Sequence, residues 1–380
     1  MDLVCFSHLR WNFVYQRPQH LLSRFSKHYR VFYIEEPIIE QREKDFLQVN
    51  NSENNIWIVT PHLPQGSENV NVLDRQNVLL KAFFNDLNIQ KYIFWYYTPM
   101  AIELGNFFEP QMIVYDCMDE LSNFKFAPPI LKEREKELFG KADVVFTGGH
   151  NLYKAKKSSH HNIHPFPSSI DKAHFEAARE LENDPADQEK IPHPRFGFYG
   201  VIDERMDIEL LRQVAEKRPD WHLVVIGPVV KIDPAMLPKL DNIHYLGGKS
   251  YNELPKYLAG WDVATIPFVL NESTEFISPT KTPEYLAGGK PVISTSIIDV
   301  VTPYGENNIV HIADTADEFI AAGEIELNRK NRTEWLENID VFLSSNSWDQ
   351  TWEGMMEHIN NVLAQSKNNN IPNLKHKSYV

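Results

Sequence analysis

The feature that most constrains the fold of this chain is a regular alternation of short apolar, β-rich runs with stretches of helical periodicity. In the first half, the apolar runs predict strands at Leu3–Phe6, Val31–Ile34, Ile56–Val59, Tyr92–Tyr96, Met112–Tyr115 and Val144–Thr147. Helical patterns fall between them at Pro18–Phe25, Gln76–Asn88 and Pro129–Phe139. This alternation is typical of βαβ units, whose strands form a parallel sheet.

The second half of the chain repeats the scheme. Strands are predicted at Arg195–Tyr199, His222–Ile226, Ile243–Leu246, Val263–Pro267 and Val292–Ser294. Helices are predicted near Ile208–Lys217, Tyr251–Ala259 and Thr282–Gly288. Two such sets in succession predict an α/β protein with two Rossmann-like, doubly wound domains.

Composition marks the boundary between these domains. An acidic, proline-containing stretch without apolar periodicity reads as a linker, and a polar stretch at the end of the chain reads as a mobile tail. Apolar side chains at helical spacing predict a last helix between the second domain and that tail. The expected divisions are a first domain at 1–176, a linker at 177–194, a second domain at 195–346, a helix at 347–364 and a tail at 365–380.

Charge and cysteine content exclude several classes of protein. The formal net charge of -14 disfavours a nucleic-acid partner. The only cysteines, Cys5 and Cys117, lie in apolar runs, which disfavours a disulfide framework or a zinc site and fits a reducing cytoplasm. Neither a signal peptide nor a run of about 20 apolar residues that would span a membrane is predicted. We therefore expect a cytoplasmic protein, with peripheral membrane contact left open.

The most informative stretch is Asn271–Ser296, NESTEFISPTKTPEYLAGGKPVISTS. Pro283 suits a first helical turn, with Thr282 as the predicted N-cap. The start of that helix and Lys281 together predict a site for a diphosphate, and the Glu284 carboxylate can accept hydrogen bonds from two ribose hydroxyls. The alternative is a capped helix in which Glu284 only complements the helix dipole.

This stretch resembles the C-terminal signature of the large retaining glycosyltransferase group with the GT-B fold, the bacterial "glycosyl transferases group 1" type. The resemblance is strong over residues 195–300 and weaker at Ser7–His20 and Tyr115–Asp171. The segments that carry it, in the family's order, are Phe198–Arg205, Leu223–Pro228, Asn242–Gly247, Tyr251–Leu258 and Trp261–Phe268. In that family two domains face a cleft, and a last helix crosses back onto the first domain.

The resemblance implies specific roles on the donor side. Arg205 and Lys281 would hold the donor diphosphate and stabilise it as it leaves. Donor-binding residues implied with them are Gly200, whose backbone approaches the diphosphate, Ser278, Thr280 and the ribose ligand Glu284.

Two family positions differ in this chain. A second glutamate usually stands eight residues before the ribose glutamate and contacts the transferred sugar. That position is Phe276 here, and Glu275 lies one residue earlier, so either Glu275 is used through a shifted loop or other groups hold the sugar. The family's lysine shortly after the arginine is also absent, which leaves Lys281 as the second cation.

Polar residues after the strands of the first domain predict the acceptor side of the cleft, because open α/β sheets bind ligands at the carboxyl ends of their strands. After the first strand, the candidates are His8, Arg10, Trp11, Gln16 and Arg17, unless that loop only packs locally. Its RPQH run resembles a polysaccharide-associated subset of the family. Asp119 is the candidate to deprotonate or position an acceptor hydroxyl.

The remaining acceptor-side candidates are weaker. Asp116 and Glu120 flank Asp119, and each of the three acids has helix capping as an alternative role. His150, after a later strand, would reach the diphosphate or the acceptor.

Together these features predict a metal-independent enzyme without a cofactor. It would transfer a sugar, with retention, from a nucleotide-diphosphate sugar (UDP- in preference to GDP-linked) to a glycan or lipid-linked acceptor in cell-surface polysaccharide synthesis. No metal ligands are predicted, because the chain lacks an Asp-x-Asp run. A nucleotide-sugar epimerase and a non-catalytic nucleotide-sugar-binding protein remain as alternatives.

Overall fold

Two predominantly parallel sheets organise the computed structural model, which describes residues 1–52, 55–66 and 72–369. The first sheet contains β1 (Asp2–Ser7), β2 (Arg30–Glu35), β3 (Ile38–Glu40), β4 (Phe46–Asn51), β5 (Ile56–Pro64), β6 (Tyr92–Tyr96), β7 (Met112–Cys117), β8 (Val144–Thr147) and β9 (Ile163–Pro165). Its order is β3-β5-β2-β1-β6-β7-β8-β9, all parallel, and β4 pairs antiparallel with β5.

The second sheet is entirely parallel. It contains β10 (Arg195–Tyr199), β11 (His222–Ile226), β12 (Ile243–Tyr245), β13 (Val263–Ile266), β14 (Val292–Ser294) and β15 (Val310–Ile312), in the order β12-β11-β10-β13-β14-β15. The expected α/β architecture with two Rossmann-like domains is therefore confirmed. Strands β3, β4, β9 and β15 were not predicted.

Helices cover both faces of each sheet. They are α1 (Arg17–Phe25), α2 (Val72–Asp86), α3 (Ile102–Gly105), α4 (Leu131–Lys141), α5 (His150–Lys156), α6 (Lys172–Glu176), α7 (Ile208–Lys217), α8 (Leu254–Ala259), α9 (Lys281–Ala287), α10 (Ile298–Val300), α11 (Ala316–Leu327), α12 (Arg332–Phe342) and α13 (Trp348–Asn369). Among the described helices, not one combines the length and the apolar character that crossing a membrane requires.

Helix α13 returns from the second domain to the first, as expected. Trp348, Met355 and Ile359 are fully buried in the core on one face of the first sheet. The Trp348 ring stacks on His20 of α1 with centroids 4.7 Å apart. The helix continues to Asn369 rather than ending at residue 364, and the sequence contains no helix breaker before Pro372. Residues 365–369 of the predicted mobile tail are therefore helical, and 370–380 lie outside the described residues.

The segment predicted as a linker, 177–194, packs on the second domain. The Arg179 guanidinium binds both carboxylate oxygens of Asp340 at 2.8 and 2.9 Å. The buried amide of Gln188 accepts a hydrogen bond of 3.0 Å from the indole of Trp261. These contacts fix the path of the chain between the two sheets.

Candidate active site

Two adjoining cavities lie between the domains, where β1, β7 and β10 end. The larger has a volume of about 840 Å³ and the smaller about 140 Å³. Gly200, Thr280 and Lys281 line both, so the predicted diphosphate segment forms the wall between them. The carboxyl ends of the strands from both sheets thus meet at one place, as the fold requires.

Lys281 is the least compensated cation of this wall. It begins α9, and its side chain lies over Gly200, whose φ of +152° and lack of a Cβ allow that approach. Among the described residues, no carboxylate lies within ion-pair distance of its ammonium group. Burial lowers the pKa of Lys281. The charges of Glu284, Asp203 and Asp119 act on Lys281 from a distance, and an anionic ligand would supply a direct ion pair.

Arg205 lines the smaller cavity and is held in place by Asp203. Its Nη2 donates to Asp203 Oδ2 at 2.7 Å, and its Nε donates to Oδ1 at 2.9 Å. The guanidinium also lies 5.6 Å from the ring centroid of Phe124 in the first domain. Asp203 was not predicted as part of the site, although an Asp two residues before the Arg is a local signal of such a turn.

Glu284 lines the larger cavity from the first turn of α9. Only 5% of it is exposed, and its Oε2 accepts a hydrogen bond of 2.9 Å from the hydroxyl of Tyr199. Burial raises the pKa of Glu284 to about 7, against the opposing charge of Lys281. No local pattern indicates the contact with Tyr199, which lies 85 residues away along the chain.

The start of α9 differs from the prediction. Thr280 occupies the N-cap position, and Thr282 lies inside the helix with its hydroxyl buried and unpaired. The proline at the third helical position allows the helix to begin two residues earlier than expected. Because α9 has only seven residues, Lys281 and Arg205 provide most of the positive charge in this wall.

Asp119 lines the smaller cavity together with Arg205 and Lys281. Burial raises the pKa of its carboxyl to about 6, although the charge of Arg205 opposes the shift. Within the described residues, its carboxylate has neither a hydrogen bond nor an ion pair. Of the three acids Asp116, Asp119 and Glu120, Asp119 is therefore the one whose carboxylate is available to a ligand.

The two neighbouring acids are engaged elsewhere. Asp116 is fully buried and binds the guanidinium of Arg17 at 2.8 to 3.1 Å. Glu120 forms an ion pair of 2.6 Å with Lys156. Arg17 does line the smaller cavity, but its guanidinium is committed to Asp116 and to the carbonyl of Phe166.

The other predicted residues divide between the cavity walls and the rest of the molecule. Gln16 and Ser278 line the smaller cavity, and Trp11 lines the larger one. Four residues line neither cavity. They are His8, which is largely buried and whose pKa is lowered to about 4 by burial, Arg10, which pairs with Glu35, and the exposed Glu275 and His150.

Tyr251 is a further wall residue that was not singled out. Its ring is stacked between Tyr15 of the first domain, at 4.3 Å, and His174, at 4.2 Å. All three line the larger cavity. Tyr251 lies in the YNELPKYL segment that carries the family resemblance, but no local pattern indicates a partner more than 200 residues away.

Over residues 1–52, 55–66 and 72–369, no three His, Cys, Asp or Glu side chains are placed so that they could share a metal ion. The described cleft offers fixed cations beside the predicted diphosphate position.

The chain is similar in sequence to known glycosyltransferases. Residues 194–325, which contain Arg205, Lys281 and Glu284, match the family model "Glycosyl transferases group 1". The chain is 24% identical over 294 residues to TuaH of Bacillus subtilis (strain 168), which is named as a glycosyltransferase of teichuronic acid biosynthesis. That alignment covers 71% of this chain and 72% of TuaH.

Solved structures resemble the whole chain in fold. A trehalose-6-phosphate structure from E. coli bound with UDP-2-fluoro glucose has a TM-score of 0.69 at 13% identity and covers 96% of this chain and 99% of its own. Sucrose-phosphate synthase from Thermosynechococcus elongatus has a TM-score of 0.69 at 15% identity, with the same coverage. Anabaena Alr3699/HepE in complex with UDP and glucose has a TM-score of 0.67 at 12% identity and covers 95% and 99%.

Proposed function

We propose that this chain, whose residues 194–325 match the family model "Glycosyl transferases group 1" and which has the GT-B fold, transfers a sugar from a nucleotide-diphosphate sugar to a hydroxyl group of a glycan or lipid-linked acceptor. The observation that carries this proposal is the smaller cavity. Asp119 of the first domain faces it together with Arg205 and Lys281 of the second.

In this proposal the donor diphosphate lies between Lys281 and Arg205. Negative charge grows on the leaving diphosphate as the bond to the anomeric carbon breaks, and fixed cations in a partly dry cavity stabilise that charge. Arg205 is preorganised by its hydrogen bonds to the Asp203 carboxylate. No carboxylate among the described residues forms an ion pair with Lys281, so its ammonium group can bind the phosphates directly. The reaction proceeds without a bound metal.

The ribose and the acceptor occupy opposite sides of this diphosphate. Glu284, in the larger cavity, accepts hydrogen bonds from the ribose hydroxyls. Asp119 orients the acceptor hydroxyl and takes up its proton. Resemblance to the retaining group favours an acceptor that attacks from the face that the phosphate leaves.

Three observations support the finer assignment of substrates. The name of the B. subtilis relative refers to a cell-surface polysaccharide, and the RPQH run is similar to that of polysaccharide-associated enzymes. Two of the structural neighbours hold UDP or a UDP-sugar. We therefore favour a UDP-sugar as donor and a role in polysaccharide synthesis, with contact to a membrane where the acceptor is lipid-linked.

A thermal-shift screen of UDP-, GDP-, ADP- and TDP-sugars tests the proposal. A donor present at 100 times its Kd stabilises the fold by about 2.7 kcal/mol, and we expect this only for the correct base. Release of nucleoside diphosphate should then require an acceptor. Epimerised or free sugar formed without an acceptor would indicate an epimerase, and binding without turnover across acceptors would indicate a binding protein.

A further inference from the structure

The two domains also meet beside the catalytic cavity, where the loop after β13 contacts the start of α5. We infer that Asn271–Phe276 and Asp299 of the second domain form an interdomain latch, which grips the first domain and positions the adjoining Ser278–Lys281 segment opposite Asp119. The contact between the domains is independent of the proposed function. The positioning of Ser278–Lys281 opposite Asp119 rests on it.

Asp299 supplies the polar part of the latch. Its Oδ2 accepts a hydrogen bond of 2.9 Å from the backbone N–H of His150, and its Oδ1 accepts one of 3.0 Å from that of Asn151. These are the first two residues of α5, whose N–H groups have no partner within their own helix. A carboxylate from the other domain therefore takes the place of a local N-cap side chain.

Gly149 makes room for this contact. As the residue before α5, it stands at the N-cap position and has no side chain with which to cap the helix. A Cβ at Gly149 would collide with the Asp299 carboxylate and would lie 3.2 Å from Cβ of Ser278. Gly149 thus brings Asp299 and Ser278 of the diphosphate segment against the same point of the first domain.

Two amide side chains of the first domain hold the loop itself. Nδ2 of Asn151 donates to the carbonyl of Glu275 at 2.8 Å, and Nδ2 of Asn123 donates to the carbonyl of Glu272 at 3.1 Å. Both bonds are made to backbone atoms, so they fix the path of the loop whatever its side chains are. The exposed carboxylate of Glu275 takes no part.

Phe276 supplies the apolar part of the latch. It is half-buried and packs against the core cluster of the first domain that contains Leu138, Val145 and Leu152. Phe276, two residues before the Ser278–Lys281 segment, therefore anchors this loop to the first domain. Ser278 follows only two residues later, so separation of the latch would move the segment that carries Lys281 away from Asp119.

Hydrogen–deuterium exchange tests the latch without any ligand. Asp299→Ala and Phe276→Ala should each raise exchange of the His150 and Asn151 amides at least 10-fold and increase the radius of gyration measured by X-ray scattering. Phe276→Leu should restore most of the protection. Asp314→Ala is the matched control, because within the described part of the chain the Asp314 carboxylate accepts its hydrogen bonds, both 2.7 Å long, from Ser296 of its own domain. It should deprotect Ser296 and leave His150 and Asn151 unchanged.

Binding of UDP tests whether the latch positions the Ser278–Lys281 segment opposite Asp119. In the unmodified protein, UDP should slow exchange both at 278–281 and in the Asp119 loop. In the two latch variants UDP should bind within about threefold of its normal affinity and still protect 278–281, but no longer protect the Asp119 loop. Unchanged His150 and Asn151 exchange in Phe276→Ala would overturn the latch. So would full UDP protection of the Asp119 loop in both variants. Failure of UDP to bind the unmodified protein would count against the proposed function and leave the ligand-free result standing.

Discussion

The hydroxyl of Tyr199 donates a 2.9 Å hydrogen bond to Oε2 of Glu284, which joins the end of β10 to the first turn of α9. Both side chains are buried at the wall of the larger cavity. The hydroxyl stabilises the ionised carboxylate, but burial outweighs it and raises the pKa of Glu284 to about 7. Glu284 is thus poised between its two protonation states at neutral pH, before any ribose is bound.

Glu284→Gln should stabilise the ligand-free protein at alkaline pH. A pKa that rises from 4.5 unfolded to about 7 folded means that the folded state holds more protons between those values, so stability falls as pH rises through that window. Removing the charge should recover about 3 kcal/mol of unfolding free energy at pH 8, with little gain near pH 4.5. Urea denaturation at both values measures the difference.

Glu326→Gln provides a control of opposite sign. Glu326 is also buried, but hydrogen bonds from Arg329 and His311 lower its pKa to about 2. Its ionised form stabilises the fold above the unfolded pKa, so this variant should lose stability at pH 8. If Glu284→Gln also destabilised the protein at pH 8, the carboxylate would serve the fold rather than a ligand.

Lys281→Ala should weaken UDP far more than uridine. The ammonium group is partly desolvated and unpaired among the described residues, so its bonds to a diphosphate are charge-assisted, and the loss should be roughly 10- to 100-fold in Kd. Lys249→Ala is the comparison, since Lys249 lines the same cavity but is paired with Asp187 at 2.6 Å. Calorimetry with both ligands measures the effect, and equal losses for UDP and uridine would place Lys281 away from the phosphates.

Sequence patterns predicted the parts of the fold that have a local cause. Strands β1 and β10 are buried along their whole length, and their continuous apolar runs make them visible. Strand β4 is an edge strand whose FLQVNN sequence is half-buried or exposed, so it shows no such run. Strands β3 and β15 have three residues each and, unlike the equally short β14, are not buried along their whole length, so no continuous apolar run marks them.

The candidate site likewise has residues that local motifs predict and contacts between distant residues that no motif predicts. The order of the motifs predicted Lys281, Arg205 and Asp119, and the structure gathers all three at one cavity. His150 was predicted to face the ligands because it follows a strand, but its backbone is bound by Asp299, 149 residues away. A contact over that separation leaves no periodicity or spacing in the sequence, and so could not be predicted.

Asp119→Asn should abolish the rise of kcat/KM with pH on the acidic side of the pH–activity profile. The pKa of about 6 predicts that kcat/KM rises with pH through that value, as the carboxylate becomes able to accept a proton. Loss of this base should lower kcat roughly 10²- to 10⁴-fold and flatten the profile between pH 5 and 7. The measurement is turnover of the donor identified by the thermal-shift screen.

Glu120→Gln is the control for Asp119, since Glu120 is adjacent in sequence but paired with Lys156 at 2.6 Å. The Glu120→Gln variant should keep the rise of kcat/KM near pH 6, and its kcat should change less than about 10-fold. A rise that persists in Asp119→Asn would assign the titration to another group.

Transfer should persist in the presence of a chelator. Lys281 and Arg205 supply two positive charges to the smaller cavity, which is what a divalent ion would otherwise contribute to a leaving diphosphate. We expect less than twofold loss of turnover after dialysis against EDTA. Full loss that Mn²⁺ or Mg²⁺ restores would show that the cations of the chain are insufficient.

Trp348→Ala should be among the most destabilising single changes in the first domain. The Trp348 side chain is fully buried, stacks on His20 and belongs to the same core as Leu21 and Trp95, although it begins the last helix of the chain. Its removal leaves a large cavity where α13 meets the first domain, at a cost of about 3–5 kcal/mol of unfolding free energy. Asp349→Ala is the neighbouring control, because it removes a 2.8 Å ion pair between Arg24 and the 61% exposed side chain of Asp349. Its loss should cost less than about 1 kcal/mol of unfolding free energy. Urea unfolding followed by tryptophan fluorescence and by circular dichroism measures both variants. Similar small losses for the two would mean that α13 contributes little to holding the domains together.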